Sequence, residues 1–139
     1  MDKHEKGFSL IELLVVVAVI GIIATLAVPA ARKALVAAEN GSTFSLMRTV
    51  STTQMGFYST NSRFARLSEV NNVMSNNLGS ASGNQVVRGK YTMEMLPAAP
   101  TDAELKNGFT ITATRDVAGE GVVYKYELTQ SGEIRQILP

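Results

Sequence analysis

Residues 7–31 read GFSLIELLVVVAVIGIIATLAVPAA, and the way this stretch is read decides the architecture. From Leu13 to Ala31 it holds no charged residue, a run of 19. As a helix rising about 1.5 Å per residue, the run spans roughly 28 Å, close to the hydrocarbon thickness of a bilayer. It is too long for the core of an ordinary secretory signal and lacks a small-x-small cleavage site at its far end. The segment is therefore expected to stay on the protein and to sit in a membrane.

Glu12 is the anomaly in this run. A carboxylate at membrane depth costs about 2.5–3.5 kcal/mol at a helix centre and less near an interface. One reading places Glu12 near the helix start, reaching the headgroups and favouring the positive end of the helix dipole. The other has it waiting for a cation from a neighbouring chain.

Gly7-Phe8-Ser9-Leu10-Ile11-Glu12 follows a short polar leader, Met1-Asp2-Lys3-His4-Glu5-Lys6. A leader ending in Gly, an aromatic residue after it, a carboxylate four positions on and an apolar span together resemble the prepilin cleavage and methylation motif. That motif marks type IV pilins and the pseudopilins of type II secretion systems. The resemblance covers residues 1 to about 33 closely, and the layout of the rest more loosely.

Several expectations follow from the resemblance. A membrane aspartic peptidase and methyltransferase would cut between Gly7 and Phe8 and methylate the new Phe8 amine. Glu12 would pair with the N-terminal amine of a neighbouring subunit, an ammonium being a cation able to neutralise it away from water. Gly21 and Pro29 would be the helix-breaking positions, with Pro29 lacking an N–H and kinking the helix. The precursor would be a single-pass protein of the bacterial inner membrane with a cytoplasmic N-terminus. Lipid would surround the helix first, and the assembly machinery would then polymerise it into a homo-oligomeric filament. That filament would be an extracellular pilus for adhesion, twitching motility or DNA uptake, or a periplasmic pseudopilus. Charge does not fix the orientation, because Lys3 and Lys6 on one side balance Arg32 and Lys33 on the other.

Composition bounds the remainder. The 139 residues suit one domain plus its anchor. The formal net charge is +1, and removing residues 1–7 leaves it unchanged, since two lysines and two acids go together. So even a balance argues against a nucleic-acid-binding face as the main function. The chain has no cysteine, so thiol chemistry is excluded. The disulfide that closes the C-terminal region of many type IV pilins is absent, and the head must hold through its core alone.

The expected fold class is α+β, the pilin fold: a long N-terminal helix packed on a small antiparallel sheet of about four strands. The leader covers residues 1–7, the membrane and assembly helix 8–31, and an amphipathic continuation 32–60. The globular head covers 61–139. On the continuation Val36, Phe44, Met47, Val50, Phe57 and Tyr58 form a rough stripe that Gln54 interrupts. Residues 61–89 read as a surface loop, with the turn formers Ser75–Asn84 at its centre. Residues 90–139 read as the sheet. Tyr91, Met93 and Met95 alternate with polar neighbours, as do Phe109, Ile111 and Ala113, and then Val122, Tyr124, Tyr126 and Leu128. Ile134–Leu138 adds a short fourth strand. Asp116–Gly121 and Gln130–Gly132 read as hairpin links. Thr101-Asp102-Ala103-Glu104 reads as a capping box, with Asn107-Gly108 as its stop.

No catalytic constellation is found, so no enzyme activity and no cofactor are expected. His4, the only histidine, lies in the leader. Asp102 with Glu104, or Asp116 with Glu120, offers too few oxygens for calcium, which takes six to eight, and no metal site is expected. Arg48, Arg63, Arg66, Arg88, Arg115 and Arg135 read as a scattered, solvated set. A type IV pilin is favoured over a pseudopilin, partly because no calcium loop stands out. A monomeric membrane-tethered binding protein is the reading from outside this class.

Overall fold

The computed structural model describes residues 7–117, 119 and 123–138. The leader before Gly7 and the centre of the 116–121 link lie outside them. The chain divides into two compact units, one ending at Asn40 and the other beginning at Gly41. Helix α1 (Leu10–Asn61) contributes to both. In the first unit it is the only regular element among the described residues, and it carries the apolar run.

The second unit combines the rest of α1 with two short helices, α2 (Leu67–Val73) and α3 (Asp102–Asn107), and six strands. These are β1 (Ser80–Ser82), β2 (Gln85–Arg88), β3 (Tyr91–Leu96), β4 (Thr110–Asp116), β5 (Val123–Thr129) and β6 (Ile134–Leu138). They form one antiparallel sheet in sequential order, β1 to β6. The α+β class and the helix-on-sheet arrangement are as expected, with six strands where about four were expected.

The alternation read from the sequence sets the core face. Tyr91, Met93 and Met95 of β3, Ile111 and Ala113 of β4, and Tyr126 and Leu128 of β5 are all buried. From α1, Met47 and Val50 bury fully, and Phe44 meets Tyr126 edge to face at 6.3 Å. Phe64 stacks between Tyr58 (4.7 Å) and Phe109 (4.9 Å), tying the end of α1 to the start of β4.

The stretch read as a surface loop, 61–89, is instead α2, β1 and β2 with their connections. Its anchor residues Phe64, Leu67, Val70, Leu78 and Val86 are buried. Ser-Ala-Ser has no hydrophobic alternation, so β1 is invisible to a periodicity argument. The available signal was the Gly83-Asn84 pair between it and β2. With Ser82 opposite Gln85, these two residues are a two-residue hairpin loop, and Gly83 takes a φ of +61° that an L side chain rarely adopts. The next hairpin repeats the device, with Gly89 at φ +58° between Arg88 and Tyr91.

Candidate functional site

The candidate assembly site is the start of α1. Gly7, Phe8 and Ser9 precede the helix, so the Gly7–Phe8 peptide bond lies in non-helical backbone. Ser9 is the N-cap position, and Glu12 falls three residues later. There its carboxylate reaches back: the Ser9 N–H donates to Glu12 Oε2 at 2.8 Å. This is one half of a capping box, which satisfies one of the orphan amides that every helix N-terminus leaves. Leu13 N–H then donates to the Ser9 carbonyl at 3.2 Å. Glu12 thus has a local role that the sequence reading of headgroup contact or intersubunit pairing did not include.

Beyond Glu12 every large apolar side chain of the run is exposed, from Leu13 through Ile20 and Ile23 to Val28, and Phe8 at the start is 93% exposed. By length and composition this helix can cross a membrane. The helix assignment continues through Gly21 and Pro29. Pro29 has no N–H to offer the Thr25 carbonyl, so one ladder bond is missing there. The Thr25 hydroxyl donates to the Ile22 carbonyl at 2.7 Å, one turn earlier.

In the second unit, polar groups close the connections. Gln54, the residue that interrupts the apolar stripe, is fully buried. Its Nε2 donates to the Ala65 carbonyl at 2.9 Å, and its Oε1 accepts from the Ala65 N–H at 2.7 Å. One carboxamide therefore pairs both backbone groups of a buried residue 11 positions away. Asn71 of α2 does the same for the next connection, donating to the Gly79 carbonyl (3.1 Å) and accepting from the Leu78 N–H (3.2 Å).

Arg63, Arg66, Glu69 and Asp102 form an ion network, so these two arginines are not scattered surface charges. Arg63 grips Glu69 with both terminal nitrogens, at 2.7 and 2.8 Å, and donates to the Phe64 carbonyl at 3.0 Å. Its guanidinium also lies 5.3 Å from the Phe57 ring centre. Glu69 accepts from the Arg66 N–H at 2.8 Å, capping α2. The Arg63 hydrogen bond, more than any other influence, holds the Glu69 carboxyl down at about 2. Arg66 reaches Asp102 at 2.5 Å, tying the start of α2 to the start of α3. Arg115 is also no surface charge. It continues the core-facing alternation of β4 and is 1% exposed.

The Asp102 and Glu104 oxygens considered for calcium have other work. Asp102 faces two guanidiniums, and Glu104 closes the expected capping box, accepting from the Thr101 N–H at 2.7 Å while Thr101 Oγ1 accepts from the Glu104 N–H. Glu120 lies outside the described residues. No group of three or more His, Cys, Asp or Glu that could hold a metal is found among the described residues.

The prokaryotic N-terminal methylation motif matches residues 2–28 of this chain. The chain therefore carries the signature of type IV pilins and pseudopilins. No curated protein and no solved structure matches it.

Proposed function

We propose that this chain is a structural subunit, not an enzyme, which polymerises through the apolar half of α1 into a cell-surface filament of the type IV pilus kind. The observation that carries the reading is the pairing of a wholly exposed apolar helix with a lone carboxylate at its start, under a methylation signature. The second unit builds its own core without that apolar run, which supports a division into anchor and head. In this reading the peptidase cuts the non-helical Gly7–Phe8 bond and the Phe8 amine is methylated. Glu12 then exchanges its Ser9 amide for the amine of a neighbouring subunit as the helix leaves the bilayer. Gly21 and Pro29 mark where α1 gives way on packing. A pseudopilin in a secretion system is the second reading, since the same signature marks both.

Glu12→Ala tests the core of the proposal. The variant is expected to insert, fold and lose its leader normally, with mass spectrometry showing a mature chain that begins at Phe8. Surface filaments recovered by shearing should be strongly reduced. Normal filaments from the variant, or a mature chain retaining residues 1–7, would overturn the assignment. Filaments seen only on overexpression and never at the native surface would favour the pseudopilin.

A further inference from the structure

We propose that Asn107 is a site of spontaneous chemical modification, converting to aspartate and isoaspartate as the protein ages. In the reaction the Gly108 backbone nitrogen attacks Asn107 Cγ. Its proton passes to solvent hydroxide, ammonia leaves, and a five-membered imide forms. Water then opens the ring at either carbonyl, and no oxidant or reductant is needed. The nucleophile must be unhindered, which favours a following glycine, and the asparagine must be able to leave its hydrogen bonds.

The chain has two Asn-Gly pairs and places them in opposite settings. Asn40-Gly41 lies inside α1 with turns of helix on both sides. Asn107 is the last residue of the six-residue α3 and is exposed. Among the described residues, two hydrogen bonds hold its amide and the next nitrogen. Asn107 Nδ2 donates to the Ala103 carbonyl at 3.3 Å, and the Gly108 N–H donates to the Glu104 carbonyl at 3.3 Å. Both are long beside the usual 2.9–3.0 Å. The end of α1 supplies a third setting with the same pattern made tighter. There Asn61 Nδ2 donates to the Phe57 carbonyl at 3.0 Å and Ser62 N–H to the Tyr58 carbonyl at 2.8 Å, and the nucleophile carries a side chain. The expected order of reactivity is Asn107 first, then Asn61, then Asn40.

The change has physical consequences. The formal net charge of +1 falls to zero. The new carboxylate sits in the last turn of α3, where the helix dipole disfavours it. Isoaspartate also adds a backbone atom just before Gly108, one residue ahead of Phe109, which is 4% exposed and whose ring packs on Phe64.

The test incubates the full chain in detergent micelles in mildly alkaline buffer and follows the amide-to-acid mass gain by site. A glutamyl endopeptidase fragment beginning at Leu105 reports Asn107, and tryptic fragments 34–48 and 49–63 report Asn40 and Asn61. The folded chain should gain mass first at Asn107, with Asn40 slower by about tenfold or more because the helix must open locally. In urea the two Asn-Gly sites should react at comparable rates. Gly108→Ala, whose extended backbone suits any residue and whose added Cβ would need only the flexible end of Gln130, 2.9 Å away, to shift, should slow Asn107 alone. Equal rates at Asn40 and Asn107 in the folded chain would overturn the proposal. So would an Asn107 fragment that reacts in urea and stays unchanged in micelles.

Discussion

Replacing Gln54 should destabilise the head far more than its polar character suggests. Gln54 and Ala65 are both fully buried, and their two hydrogen bonds are 2.9 and 2.7 Å long. Gln54→Met keeps the length of the side chain and removes both bonds, leaving the Ala65 N–H and C=O without partners. A buried polar group stranded in this way costs about 1–3 kcal/mol, so the pair should cost about 3 kcal/mol. At about 4–8 °C per kcal/mol for a unit of this size, the midpoint should fall by about 12–24 °C. Thermal and urea unfolding of the full chain in micelles, followed by near-ultraviolet dichroism of its tyrosines, measures this. A second variant gives the argument its sign. In Gln54→Glu the ionised carboxylate can accept from Ala65 but cannot donate, whereas the protonated acid has one donor and one acceptor and restores both bonds. Its folded pKa should rise above the unfolded value of about 4.3. The protonated pairing is then fully present below that unfolded value and is lost as pH rises through the folded one. The penalty relative to wild type should therefore shrink as pH falls. Gln54→Met within about 0.5 kcal/mol of wild type would refute the reasoning, since ordinary surface changes fall in that range.

Two further outcomes follow from the head. Glu69, held at about 2 chiefly by the Arg63 hydrogen bond, contributes stability above its unfolded pKa and loses it as pH falls through the folded value. With side chains 18% and 30% exposed, the contribution is about 1–2 kcal/mol after screening, and Glu69→Gln should remove that part of the acid sensitivity between about pH 4.5 and pH 2 in urea titrations. An unchanged acid profile would assign the sensitivity to other carboxylates. Gly79, at φ +152°, would bring an added Cβ to 2.5 Å from the Val87 carbonyl oxygen. Gly79→Ala should lower head stability by about 1–3 kcal/mol, and a neutral result in the same unfolding assay would mean the β1–β2 hairpin shifts freely.

The parts of the fold that repeat were legible in the sequence. Period-two alternation placed the core faces of β3, β4 and β5, and the spacing of Thr101 and Glu104 placed the start of α3. Charge absence placed the long apolar run, and the six residues Gly7–Glu12 fall inside the matched methylation motif. What escaped was whatever depends on a single contact between distant positions. Gln54 looked like a flaw in the stripe, because a bond to backbone 11 residues away leaves no periodic trace. Arg63 and Glu69 are six apart across a helix start, a spacing no regular element pairs. β1 is three small residues held by register alone. Glu12 was read through its cost in lipid, the helix dipole and intersubunit pairing, although its place three residues after Ser9 also matches the back half of a capping box.

The two carboxamide closures, Gln54 on Ala65 and Asn71 on Leu78 and Gly79, have a bearing on where this head can work. Both join uncharged partners, and neither involves sulfur. Rising salt does not screen them, reducing agents do not open them, and no proton leaves or joins them between acid and alkaline surroundings. Under the proposed function, in which the chain would mature at the membrane and serve elsewhere, these fastenings would cross without being reset.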